Sequence, residues 1–217
     1  MIIGITGGIG SGKSVISHEL RRMGYQVYDT DSEAKRLIVK DAHVRQQIES
    51  LFGPEVYQDG IYQTHIVAQK VFNATASKLQ RSNLQGSDLQ PEERSTGKSD
   101  LPPLLAQLNA IVHPAVRADI LHQHSNSPQS DLFFIECAIL YTAHLDTICD
   151  KVVVITAPEE VRIKRVIARD HSDIEKVRAR MHAQQIESDL QRADITINND
   201  GFTPISELCQ QLLCQLH

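Results

Sequence analysis

The sequence predicts an α/β fold, a five-stranded parallel sheet with helices on both faces, from three observations. Short apolar β-type runs alternate with helical patterns along the chain. A glycine-rich turn joins the first run directly to the first helical pattern. Residues 29–131 separate the second run from the third, too many for a simple crossover, so a helical subdomain is inserted there.

The strands are expected at Ile2–Ile5, Gln26–Tyr28, Leu132–Ile135, Val152–Ile155 and Ile195–Ile197. Lys13–Met23 reads as a helix closed by Gly24, and Asp41–Phe52 as one stopped by Gly53-Pro54. Thr64–Asn73 is a further helix. The polar stretch Ser77–Asp100 has Gly and Pro punctuation and no periodicity, so residues 76–103 read as an extended or mobile insertion. In the last helix Thr203 is expected to cap and Pro204 to take the first turn. Ile205, Leu208, Cys209, Leu212, Leu213 and Leu216 then form one core-facing stripe.

Hydrophobic residues at 41% and charged residues at 23% fit a globular protein able to bury a core. The net charge of −5 argues against a nucleic-acid binder. No apolar run reaches membrane-spanning length, and the short N-terminal run lacks a basic flank, so neither a membrane span nor a signal peptide is expected. The four cysteines form no C-x-x-C pair, which disfavours a metal or disulfide framework. The expectation is a cytoplasmic protein.

Gly7, Gly12, Lys13 and Ser14 satisfy G-x-x-x-x-G-K-[ST] between a strand and a helix. Glycines let backbone N–H groups turn inward around phosphate oxygens, and the helix adds its positive end. Gly8, Ile9, Gly10, Ser11, Gly12, Lys13, Ser14 and Val15 are therefore the candidate ATP-binding residues. Lys13 is placed to reach the terminal phosphates, and the Ser14 hydroxyl to ligate Mg²⁺. The similar Gly97-Lys98-Ser99 has no preceding strand and is a decoy.

The second strand ends in V-Y-D-T-D, bringing Asp29 and Asp31 to the edge where parallel sheets place ligands. A carboxylate there can take a proton from an attacking hydroxyl. Equally, Thr30 and Glu33 form a capping box, with Asp31 merely favouring the helix start. The third strand ends at Glu136, a possible holder of Mg²⁺ or its water, or a strand-end acid without a role. After the fourth strand, a helix opening at Ala157-Pro158-Glu159-Glu160 carries Arg162, Lys164, Arg165 and Arg169. A second, opening at Asp173, carries Lys176, Arg178 and Arg180. Together they read as a lid over residues 162–190, with Arg165 and Arg169 chosen for phosphate contact, although a solvated basic face accounts for several of these cations. No N/T-K-x-D guanine reader is present, so a small-molecule kinase is favoured over a switch GTPase. On the residues alone the acceptor stays open: another nucleoside or nucleotide kinase, or a slowly hydrolysing ATP-binding regulator, is compatible.

Several blocks in order resemble the dephospho-coenzyme A kinase family. They are G-I-T-G-G-I-G-S-G-K-S, V-Y-D-T-D-S-E-A, L-N-A-I-V-H-P ending at Pro114 and followed by Arg117, I-A-R-D, R-M-H-A-Q and A-D-I-T-I-N-N-D-G. The resemblance implies a P-loop NTPase three-layer sandwich, sheet order 2-3-1-4-5, with ATP and Mg²⁺ phosphorylating the ribose 3′-hydroxyl of dephospho-coenzyme A. It implies one kinase domain over 1–217, with an acceptor subdomain at about 32–130. Asp31 becomes the base; His113, Arg117 and Arg180 border the acceptor; Asn199 lies by the adenine. Val15 replaces the family's usual Thr, Ala138–Thr142 replaces P-L-L-F-E, and Thr64 replaces a basic residue after Asp59-Gly60.

Overall fold

A computed structural model describes residues 1–72, 102–127, 132–184 and 186–216. The expected insertion at 76–103 and the Gly97-Lys98-Ser99 turn fall almost wholly outside the described residues. One parallel sheet contains β1 (Ile2–Thr6), β2 (Gln26–Asp29), β5 (Phe133–Glu136), β6 (Lys151–Thr156) and β7 (Ile195–Asn198). The intervening numbers belong to β3 (Tyr57–Gln58) and β4 (Ile61–Tyr62), an antiparallel pair. The sheet runs β2-β5-β1-β6-β7, which is the expected 2-3-1-4-5 when its own five strands are counted.

Register decides what the sheet presents. Asp29 pairs with Glu136, and Glu136 with Ile5, so three strand ends finish side by side just before Gly7. The inner strands β1 and β5 are buried along their whole length, while the edge strand β7 alternates buried and exposed residues. That contrast is what two-sided and one-sided burial require.

The helices are α1 (Lys13–Arg22), α2 (Thr30–Lys40), α3 (Ala42–Phe52), α4 (64–72), α5 (Pro103–Ser125), α6 (Glu159–Asp170), α7 (Ile174–His182), α8 (Ile186–Gln191) and α9 (Ile205–Leu216). The chain divides into two compact units, residues 33–118 and the remainder. In the sheet-bearing unit, Ile16 and Leu20 of α1 and Leu208, Leu212 and Leu216 of α9 share one core with Ile3, Ile5, Phe134, Val153 and Ile155. A second cluster joins Ile163 and Val166 of α6 to Val177 of α7, with Ile9 of the glycine loop packed against it.

In the 33–118 unit, Asp41 caps α3 by accepting from His43 and Val44 N–H, both at 2.9 Å. Val44, Ile48 and Phe52 are its buried stripe. Tyr57 donates to the Ile38 carbonyl at 2.7 Å, and the Arg45 guanidinium lies over its ring. The Asp59-Gly60 turn has φ of 51° and 78°, the positive pair that a tight hairpin needs, and so creates β3–β4, which the strand pattern did not anticipate. Pro114 sits inside α5, leaving the turn before it one N–H short.

Two expected caps differ from the structure. Thr30 Oγ1 donates to the Glu136 carbonyl at 2.9 Å, and Asp29 caps α2 instead, accepting from Asp31 and Ser32 N–H. Likewise Asp200 accepts from Phe202 and Thr203 N–H before α9, and the Thr203 hydroxyl turns back to Asp200. In both places one carboxylate oxygen of an earlier aspartate accepts from two amides, and the threonine hydroxyl is used as a donor.

Leu212 is fully buried between α1 and the sheet. Leu212→Ala should lower unfolding free energy by about 2–5 kcal/mol, measured by urea denaturation; a loss below about 1 kcal/mol would mean the α9 stripe collapses around the gap.

Candidate active site

Gly12, at φ 94°, precedes α1 and offers no side-chain cap. Val15 N–H turns back to the Gly12 carbonyl at 3.2 Å, and among the described residues the N–H groups of Lys13 and Ser14 have no partner; with the helix dipole they can receive an anion. Around this helix start lies a cleft of about 580 Å³. Ile9, Gly10, Gly12, Lys13, Ser14 and Val15 form its floor; Asp29, Asp31, Glu136 and Ala138 rise from the strand ends; Arg165, Val166, Arg169 and Gln184 close the far side.

Lys13 Nζ donates to the Gly7 carbonyl at 2.6 Å and reaches the Gly8 carbonyl at 3.4 Å. Burial lowers its pKa below the ordinary lysine value, against the opposing pull of Glu136, Cys137 and Asp31; Arg162 adds to the lowering. Ser14 Oγ donates to Glu136 Oε1 at 2.6 Å, joining the expected metal hydroxyl to the expected strand-end acid. Asp31 is exposed at the cleft edge, and among the described residues no hydrogen bond engages its carboxylate, since Asp29 does the capping.

The arginines divide. Arg165 Nη2 donates to Asn199 Oδ1 at 2.9 Å, and its Nη1 reaches the Gly10, Ser11 and Asn199 carbonyls, each at 3.4 Å. Arg169 pairs with Asp170 at 2.6 Å while lining the cleft. Arg180 lies 3.4 Å from the same aspartate and is not part of the lining.

The family model for dephospho-CoA kinase matches residues 1–87 and 102–204. The chain belongs to the dephospho-CoA kinase family. It is 39% identical to the dephospho-CoA kinase of Porphyromonas gingivalis over 91% of this chain and 85% of that one. A crystal structure from Thermus thermophilus superposes with a TM-score of 0.73 at 30% identity, covering 100% of this chain and 98% of that one. The dephospho-CoA kinase of Campylobacter jejuni shares the fold, with a TM-score of 0.62 at 23% identity over 99% and 96% of the two chains.

Among the expected site residues, Ile9, Gly10, Gly12, Lys13, Ser14, Val15, Asp31, Glu136, Arg165 and Arg169 line one cleft. Gly8, Ser11 and Asn199 do not line it; Ser11 and Asn199 are 1% and 2% exposed. His113 and Arg117 lie four residues apart on α5, both half-buried, within the 33–118 unit. Two residues went unrecognised. Arg162 Nε donates to the Ile9 carbonyl at 2.9 Å, and Gln184 Oε1 accepts from the Ile9 N–H at 2.8 Å. Arg162 could have been found, since 162, 165 and 169 share one helical face; a lone glutamine after α7 carries no such spacing.

Among the described residues no cluster of three or more His, Cys, Asp or Glu could hold a metal, and no helix is long and apolar enough to cross a membrane.

The lowered pKa leaves part of Lys13 unprotonated at alkaline pH, below the usual lysine value. An incoming polyphosphate raises that pKa, so binding should take up protons in the alkaline range below the usual lysine value. Calorimetric titrations with triphosphate in two buffers of different ionisation enthalpy read this directly; proton release would contradict the burial argument.

Proposed function

We propose that this chain transfers the γ-phosphoryl group of ATP to the ribose 3′-hydroxyl of dephospho-coenzyme A, with Asp31 as the base. Kinase activity comes with family membership; the assignment of roles rests on one observation. An uncapped helix start, Lys13 and a carboxylate not engaged in capping share a single cleft.

Asp31 accepts the proton as the acceptor oxygen attacks the γ-phosphorus, the new O–P bond forms, and the bond to the ADP oxygen breaks. Lys13 leaves its loop carbonyls for the terminal phosphates, exchanging a neutral partner for a charged one. Open N–H groups of the loop and α1 hold the rest of the triphosphate, and Arg169 supplies further positive charge from the cleft's far side.

Ser14 Oγ and Glu136 Oε1 offer hard oxygen donors of the kind Mg²⁺ takes, one carboxylate beside phosphate ligands being its usual need. Bound there, Mg²⁺ would neutralise charge on the β- and γ-phosphates. We assign the 33–118 unit to acceptor binding through His113 and Arg117, which stand in the matching motif, and α6–α7 with Arg180 to a lid that excludes water.

Incubating the protein with ATP and a panel of alcohols, nucleosides and dephospho-coenzyme A, then locating the new phosphate by NMR, tests the acceptor. A 3′-phosphate on dephospho-coenzyme A is expected; a nucleotide product, or free phosphate alone, would overturn the assignment. Asp31→Asn should lower kcat by at least about a hundredfold with ATP affinity near wild type, and near-normal turnover would remove it as the base.

A further inference from the structure

A trans peptide is planar, so its C=O and N–H point in opposite directions. Three successive carbonyls of the glycine loop are held by side chains from distant parts of the chain. Ile9 O accepts from Arg162 Nε at 2.9 Å, and Gly10 O from Arg165 Nη1 at 3.4 Å. Ser11 O accepts from Asn199 Nδ2 at 2.9 Å and from Arg165 Nη1 at 3.4 Å. Holding these oxygens on one side turns the N–H groups of Gly10, Ser11 and Gly12 to the other. Ser11 N–H is spent on the Gly8 carbonyl at 3.1 Å. Gly10 and Gly12 line the cleft.

Asn199 is the centre of this arrangement. It is 2% exposed, and its backbone N–H donates to the Thr156 carbonyl at 2.8 Å, fixing it to the end of β6. Its amide has one possible orientation: the Ser11 carbonyl needs a donor and the Arg165 guanidinium needs an acceptor. A Cβ added to Gly12 would stand 2.2 Å from Asn199 Nδ2, so the close approach of amide to loop needs glycine at that position, quite apart from its φ of 94°.

We propose that Asn199 is a positioning residue for polyphosphate: it pins the Ser11–Gly12 peptide so that the amide side faces the bound phosphates, and Arg162 does the same for Ile9–Gly10. Asn199 thus acts on the phosphate chain through the loop, and not on the base of the nucleotide. The proposal rests on the reading of the cleft as a triphosphate site and is independent of which acceptor is used.

A base-free probe separates the two roles. Wild type, Asn199→Ala, Asn199→Asp and Arg162→Gln are titrated calorimetrically with inorganic tripolyphosphate and with ATP, at one magnesium concentration and well below each variant's melting temperature. Asn199→Ala should weaken both ligands by the same factor, on the order of tenfold. Asn199→Asp should weaken both at least as much, because it loses the donor to Ser11 and adds negative charge behind the amides. Weakened ATP with unchanged tripolyphosphate would make Asn199 a base contact and overturn the proposal. Unchanged affinity for both ligands, even with lower melting temperatures, would leave only a role in stability and overturn it too. If neither Asn199 variant melts cooperatively, Arg162→Gln decides by the same criteria. A wild-type protein that binds no tripolyphosphate would overturn the proposal together with the triphosphate site. Bound tripolyphosphate without transfer to dephospho-coenzyme A would overturn the acceptor alone.

Discussion

A cluster of phosphate charges leaves water most readily for a place where cations and unpartnered backbone N–H groups already point inward. Such groups are scarce in a folded chain, because nearly every buried amide is used in a helix or sheet. The segment from Gly7 to Ser14, which runs from the end of β1 into the first turn of α1, has such groups at Gly10, Gly12, Lys13 and Ser14 among the described residues. Its left-handed glycines turn the chain, and its lack of a side-chain cap leaves the helix start open. The rest of the molecule serves that arrangement. The sheet register brings Asp29 and Glu136 to the same edge, and β6 and β7 carry the segment that ends at Asn199.

The same logic explains where Lys13 sits. A half-buried ammonium without a partner would be costly, and the Gly7 and Gly8 carbonyls supply partners within the loop. Those carbonyls lie in the loop itself, so moving the lysine to a phosphate requires no rearrangement of the sheet. The Ser14–Glu136 contact is similar: hydroxyl and carboxylate satisfy each other until something better arrives.

Much of this was legible in the sequence because it rests on local rules. Apolar runs marked the five sheet strands, glycine spacing marked the loop, and the leucine stripe of α9 marked its core face. Failures came where two residues compete for one local task. Thr30 looked like a cap, yet Asp29, already at the strand end, reaches two amides, which frees the threonine for the Glu136 carbonyl. Pattern alone cannot rank such neighbours, since the answer depends on where β5 lies. Asn199 illustrates a different limit. Its motif marked it as belonging to the nucleotide site, but whether its amide faces the ligand or the loop is settled by distances to Ser11 and Arg165 that no spacing encodes.

The three arginines on one face of α6 show how placement divides a task among identical side chains. Arg162 is tied to the Ile9 carbonyl, and burial lowers its pKa, so it is committed to the loop. Arg165, next along, shares itself among three carbonyls and the Asn199 amide oxygen while still lining the cleft. Arg169, at the helix end, makes a two-point pair with Asp170, at 2.6 and 3.0 Å, and both residues are exposed to solvent. An exposed pair can change partners without opening the fold, whereas releasing Arg162 would free the Ile9 carbonyl that its guanidinium holds. Exposure rises along the helix away from the loop, with Arg162 and Arg165 partly buried and Arg169 exposed. Identical side chains on one helix face thus differ in what they hold: Arg162 a loop carbonyl, Arg165 the loop and Asn199 together, and Arg169 a neighbouring carboxylate at the surface.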